Sequence, residues 1–356
     1  MLNKKSDLMD VHLLGAGCAS FSLAARANEF SSHKFTIIDS GKNQSSDHVW
    51  GFWSMPWLKD TEKIIRKRWH NWKVISDQRS VLLSSKIHPY CTINRHKWLQ
   101  QCRIRAQESG VEFSQNYDLK KSGQILDSRP PPVNEGMMLQ HFCGFEVETV
   151  NPVFDDSTAI LMDFRCDQSL GMHFIYCLPF SDSKALVEST LFSSKIAPSE
   201  YYESAIDCYL NEFFDVKSYK VLRREFGVIP LGILGKRDPK FTGIGGNGGA
   251  IRPSSGYAFS FIQKQIESVV LSSKKGSLLE VKVPHGRFTL WMDLIFLSVI
   301  EQNPELSPKI FTKMAAALNG DEFALFLSGE AGVLIWLKVV LAMPKRVFIS
   351  RFFSIK

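Results

Sequence analysis

The pattern of apolar and polar positions sets out the chain's elements from its first residues. Val11 to Leu14 form an apolar strand, followed by a glycine-bearing turn and a helical run from Ala19 to about Glu29. "KFTIIDS" returns as a strand ending at Asp39, which predicts a βαβ unit at the start of the chain. "NRHKWLQQCRIRAQESG" predicts a helix stopped by Gly110. "VEFSQN" and "GQILDSR" predict short strands, the second leading into the loop "PPPVNEG". Between about 140 and 230 the period changes. "AILMDFRCDQ", "MHFIYCLPF" and "KALVESTLF" are successive strands with short turns between them, as in an antiparallel meander. A helix, "SEYYESAIDCYLNEFF", follows Pro198, and "YKVLRREFGVIPLG" is again a strand. "FTGIGGNGGAIRPSSGY" leads into a helix from about Tyr257 to Ser272, and the pattern is helical from there to the end.

The strand "KALVESTLF" carries an anomaly. Alternation puts Leu186, Glu188, Thr190 and Phe192 on one face and Ala185, Val187, Ser189 and Leu191 on the other. Neither face is built for water. Glu188 is then a rim residue, a buried acid with an arginine partner, or an acid that apolar surroundings keep protonated and able to give its proton away.

Composition narrows the class. With 356 residues, 44% hydrophobic and 22% charged, the chain is an ordinary globular protein large enough for two intimate subdomains. Seven cysteines without metal-ligand spacing read as reduced thiols, so neither a disulfide framework nor a metal site is expected. The net charge of +7 is concentrated at the C-terminus: Ala331 to Lys356 holds five basic residues and no acidic one, among large apolar side chains. No uncharged apolar run reaches the ~18–20 residues of a spanning helix. The segment reads as an amphipathic element lying on an anionic membrane surface, or as a tail packed on its own core. No nucleic-acid partner is expected. The polar start "MLNKKSDLMD" lacks a signal-peptide core, so no export is expected.

Two glycine-rich turns carry the first chemistry. Gly15, Gly17 and Ser20 follow the first strand in the spacing of a dinucleotide-binding turn, and Asp39 ends the second strand where a ribose hydroxyl would need an acceptor. Ser20 stands where a third glycine is usual. Late in the chain, Gly245, Gly246, Gly248 and Gly249 form a second turn between a strand and a helix. One cofactor, FAD, best explains both. The stretch "SSDHVWGFWSMPW" adds His48, Trp50 and Trp53, either as a hydrophobic cluster or as an aromatic pocket whose π faces steady a cation.

Several of these stretches, in order, resemble bacterial-type lycopene beta-cyclases from about Val11 to the mid-300s. "DHVWGFW" is similar to the family's "DHTWCFW", with Val49 for threonine and Gly51 for cysteine. "MDFRCDQ", "FIYCLPFSDSKALVESTLFS" and "GGAIRPSSGYAF" resemble further family stretches, the last with Arg252 where histidine is usual. So do "WMDLIFLSVI" and the C-terminal helices. The resemblance implies an α/β fold of the glutathione-reductase type. Residues 1–130 and 225–275 would form the Rossmann-like FAD-binding domain, 131–224 an inserted antiparallel-sheet substrate domain, and 276–356 a helical membrane-associated region. It implies an isomerase (an intramolecular lyase) that takes lycopene through γ-carotene to β-carotene, with reduced FAD as cofactor and NADPH as electron source. The essential acid falls on Glu188, with His48, Trp50, Trp53 and Asp163 in the substrate pocket. It further implies other acyclic-ended carotenoids as substrates and a peripheral position on the cytoplasmic face of a membrane. Asp163, Asp167 and His48 are candidates for the base that takes the final proton. A flavin monooxygenase or dehydrogenase, and a flavin- or carotenoid-carrying protein without activity, are the alternatives.

Overall fold

A computed structural model describes residues 8–41, 47–116 and 123–352. The chain runs β1 (Met9–Leu14), α1 (Cys18–Ala24), β2 (His33–Ile38), β3 (Val49–Trp53), β4 (Ile65–Trp69), β5 (Asn71–Ser76), β6 (Arg79–Ser84) and β7 (Tyr90–Asn94). It continues through α2 (Arg95–Glu108), β8 (Glu112–Ser114), β9 (Gln124–Asp127), β10 (Leu139–Glu148), β11 (Thr158–Asp163), β12 (Met172–Pro179) and β13 (Lys184–Ser193). Then come α3 (Ser199–Phe214), β14 (Lys220–Pro230), β15 (Thr242–Gly243), α4 (Phe259–Ser272), α5 (Arg287–Gln302), α6 (Ser307–Ala317), α7 (Gly320–Leu327), α8 (Val333–Ala342) and α9 (Lys345–Phe352).

Among the described residues three sheets form. A parallel sheet has the order β15-β9-β1-β2-β8. Its central strand β1 is the apolar run read from the sequence, and Val11 and Leu13 are fully buried. The largest sheet has the order β14-β10-β13-β12-β11-β5-β6 and is antiparallel except where β11 meets β5. A small antiparallel sheet, β3-β7-β4, sits beside it.

The expected meander is present as β11-β12-β13, but two strands join it from an unexpected part of the chain. β5 and β6 come from residues 71–84, so the sheet is not contained in 131–224. In the small sheet, charge masks β4 in the same stretch of chain. Arg66 and Lys67 interrupt the apolar pattern of β4, and their partners, Glu146 and Asp156, are distant in sequence. Two helical expectations also change. The first helix ends at Ala24, with a separate 3₁₀ turn at Ala27–Glu29, and residues 273–286 contain no helix between α4 and α5.

Alternation in β13 divides the core as expected. Ala185, Val187 and Leu191 face α3 and pack with Phe145, Ile206 and Tyr209. Leu186 and Phe192 face the other way, into the main core shared with β1, α1, α4 and the C-terminal helices. α3 therefore seals one face of the sheet, and the face carrying Glu188 looks toward the parallel sheet.

Candidate active site

The two glycine turns meet. Gly17 precedes α1, whose first turn has no side-chain cap, and a side chain at Gly17 would find nothing within 4 Å. Gly245 has φ +66°, and a Cβ there would lie 2.6 Å from the Cβ of Ala19, so only glycine lets the late turn seat against α1. Asp39 stands exposed at the end of β2. Open space at Gly17, uncapped backbone N–H groups and an exposed carboxylate at the end of the neighbouring strand fit a dinucleotide. Ser20 does a different job. It is fully buried, and its hydroxyl pairs with that of Ser128 at 2.7 Å, tying α1 to the end of β9.

A cavity of about 360 Å³ runs from Cys18, the first residue of α1, to Glu188 on β13. Its walls are largely hydrocarbon and aromatic, including Trp50, Phe142, Phe174, Tyr257 and Phe259. Glu188 lines this space. Burial, and then the negative charge of Glu225 beside it, push its carboxyl well above the usual range. Thr190, two residues along the same face, donates its hydroxyl to Glu188 Oε1 at 2.8 Å. Tyr176 lies directly across on β12, and its hydroxyl pairs with that of Tyr90.

The remaining expected pocket residues divide. His48 and Trp50 line the cavity; His48 Nε2 is 3.0 Å from the Phe226 carbonyl, and Trp50 packs on Phe259. Trp53 does not line it. It is buried among Trp72, Tyr90, Tyr257 and Phe323, although Val49 and Gly51, on the same face of β3, do border the cavity. Asp163 does not line it either. It is fully buried, ion-paired to Arg165 at 2.6 Å, and accepts from Tyr209 of α3 at 3.1 Å. Asp167 shapes a turn by accepting from Ser169 at 2.7 Å. Of the three candidate bases only His48 borders the cavity. Arg252 lies outside it, buried in an ion pair with Asp293.

Glu225 was not legible as a site residue. Alternation along "KVLRREFGVIP" does place Arg223, Glu225 and Gly227 on one face of a strand, and two charges on an otherwise apolar face were the available signal. A second, smaller cavity of about 60 Å³ lies under α8 and shares Ser254, Ser255, Phe311 and Leu327 with the first.

The lycopene cyclase protein family matches residues 10–118 and 119–344. A lycopene beta-cyclase of Pantoea ananas is 22% identical over 275 residues, covering 70% of both chains. A chloroplastic neoxanthin synthase of Solanum tuberosum is 31% identical over 290 residues, covering 70% of this chain but 57% of that one. Among solved structures, a geranylgeranyl bacteriochlorophyll reductase-like protein from Thermoplasma acidophilum superposes with a TM-score of 0.60 at 12% identity, covering 98% of this chain and 100% of the other. A flavin-dependent brominase gives 0.51 at 12% identity, covering 96% and 93%. The fold is thus that of FAD-dependent oxidoreductases and halogenases.

Proposed function

The chain belongs to the lycopene cyclase family, and we propose that it closes the acyclic ends of lycopene into β-ionone rings without net oxidation or reduction. The observation that carries this reading is Glu188, an acid held neutral at the wall of an aromatic cavity. In the proposed reaction the Glu188 carboxyl gives its proton to C2 of the terminal double bond, leaving a cation at C1. The C5=C6 double bond attacks C1 and closes the ring, and loss of the C6 proton restores neutrality. One proton enters and one leaves.

The chain's other residues serve the cation. Trp50, Phe142 and Phe174 offer π faces rather than water, so the cation is not captured as an alcohol. Gly15, Gly17 and Asp39 and the turn at Gly245, Gly246, Gly248 and Gly249 would hold FAD, which in its reduced form would supply negative charge to the cation. NADPH is the proposed electron source.

The substrate is a hydrocarbon that partitions into lipid, and the C-terminal helices supply a surface for it. Among the described residues no helix is long and apolar enough to cross a membrane. On α8, however, Val333, Leu334, Leu337 and Leu341 are each more than half exposed, beside Lys345 and Arg346. Such a face suits an anionic bilayer surface. The small cavity beneath α8 supports a route from that surface to the acid: Val340 borders it, and Phe311 and Leu327 wall it from the main cavity.

Expression in a bacterium that accumulates lycopene, followed by pigment chromatography, tests the proposal. β-Carotene is expected, and Glu188→Gln is expected to abolish it with flavin absorbance retained. Cyclic product from the Glu188→Gln protein would sink the role of the acid. The 31% match to a neoxanthin synthase supports a second reading, in which the same acid acts on another carotenoid end group. Supplying such pigments separates the two by product.

A further inference from the structure

On the inner face of the large sheet, Tyr176, Glu188, Gly144 and Glu225 stand in one row across β12, β13, β10 and β14. Neighbouring strands lie about 4.8 Å apart, so the backbones of Glu188 and Glu225 start roughly 10 Å from each other. Gly144 separates them and has no side chain. A Cβ there would meet Glu225 Cγ at 3.1 Å and Glu188 Cβ at 3.4 Å. The two acids lean over the glycine from either side, so that each carboxyl lies within reach of the other's charge.

Two carboxylates so placed repel each other, and one proton held between them relieves that repulsion. The other partners decide which acid holds it. Burial pushes the Glu225 carboxyl up as well, but Arg223 Nη1 at 2.7 Å and the Val49 backbone N–H at 3.0 Å donate to its Oε2 and pull it back toward the charged form, where Glu188 is pushed well above the usual range. Arg223 continues to Glu146 at 3.4 Å, which takes Arg66 as a second cation, so the charged row is balanced as far as the sheet edge. Among the described residues, Glu188 has the Thr190 hydroxyl as its one further donor. Its other polar neighbours are Tyr176 on β12 and Tyr257 ahead of α4, both kept protonated by burial. An ion pair and an amide outweigh one hydroxyl.

We propose that Glu225 is a positioning residue which, as a carboxylate fixed by Arg223, keeps the reactive proton on Glu188. It does not line the cavity, so it acts through Glu188 and not on substrate. The inference rests on reading Glu188 as the proton donor and adds how that donor stays charged with its proton. Once Glu188 has given the proton up, two carboxylates face each other across Gly144, and their repulsion draws a proton back. The proton released at C6 balances the one spent, so the pair is reset without net consumption.

Infrared titration of the purified protein tests this without substrate. The carbonyl band of a protonated carboxyl is assigned to Glu188 by its loss in Glu188→Gln. In Glu225→Gln the band is expected to titrate away at lower pH, with proton affinity reduced about tenfold or more. Glu225→Asp should keep most of the original midpoint. Gly144→Ala, which wedges a methyl between the two acids, should shift it in the same direction as Glu225→Gln. Flavin absorbance and a melting curve report folding, and Gly144→Ala with Glu225→Asp decide the matter if Glu225→Gln does not fold. An unchanged midpoint in the folded variants would overturn the proposal. So would a band that disappears in Glu225→Gln but survives Glu188→Gln. Failure of the wild-type chain to form cyclic carotenoid sinks the proposed reaction and leaves this titration readable.

Discussion

Arg252 stands where the resembling family has histidine, and the structure says what its removal costs. The guanidinium is almost fully buried in the segment between the second glycine turn and α4. Its Nε lies 3.2 Å from Asp293 Oδ2 on α5, and Nη1 donates to the carbonyls of Phe326 and Leu327, at 2.7 and 3.2 Å, at the end of α7. One side chain therefore ties the loop to two helices around the second cavity. Replacing it with methionine keeps most of the volume but leaves Asp293 as an unpaired buried charge and two carbonyls without their donor. Breaking a buried pair in this way costs about 3–5 kcal/mol. For a chain of this size that corresponds to a fall of roughly 4–7 °C in melting temperature. In Arg252→Met with Asp293→Leu the stranded charge is gone, and well-packed apolar replacements of buried pairs are often neutral. The double variant is expected to recover most of the loss, giving a coupling of about 2 kcal/mol or more. Denaturant unfolding of the two single variants and the double variant closes the cycle. A single variant within about 0.5 kcal/mol of wild type, or a double variant losing the sum of the singles, would refute the clamp.

Further outcomes follow from the same reasoning. His141 is fully buried, and burial pulls its imidazole from 6.5 down to about 4, so the folded state binds its proton later than the unfolded chain. Its contribution is complete above pH 6.5 and falls away as pH drops toward 4, by about 3 kcal/mol at 1.36 kcal/mol per unit. Melting curves across that window should fall less steeply for His141→Gln than for wild type, and equal slopes would contradict the burial argument. At Gly51 a Cβ would collide with the Tyr90 hydroxyl, so Gly51→Ala should cost about 1–3 kcal/mol, with part restored by Tyr90→Phe. No recovery in a denaturation series would show that the collision lies elsewhere. Leu334→Glu with Leu337→Glu should weaken sedimentation with anionic liposomes while leaving the melting temperature within a degree or two. Unchanged sedimentation would remove α8 from the docking surface.

The βαβ start, the meander and the division of β13 into two faces were legible because each is local: apolar periodicity and turn residues carry them. The late glycine turn was legible for the same reason, although its seat against Ala19 was not. What stayed hidden depends on register between distant strands. β4 carries no apolar alternation, because Arg66 and Lys67 interrupt it, and the Glu146 and Asp156 that pair with them are distant in sequence. Asp163 and Trp53 were drawn into the pocket by their neighbours in sequence, yet one belongs to the α3 side of the sheet and the other to the core. Glu225 is 37 residues from Glu188 and meets it only because β10 brings Gly144 between them.

The fold alone leaves the chemistry open, since reductase-like and halogenase structures share it at 12% identity. The distinction lies on the inner face of the large sheet. A monooxygenase or dehydrogenase needs a place for oxygen or hydride to act and consumes reductant with every turnover. Here one of the polar groups reaching the cavity from the middle of the sheet is a carboxyl that burial and a neighbouring acid push toward the protonated form. An acid so placed is of use to a reaction that begins with a proton. Anaerobic turnover with prereduced flavin and no added NADPH separates the two cases. Many rings closed per flavin would favour proton chemistry, and product limited to the electrons supplied would favour the redox reading and return Glu188 to a structural role.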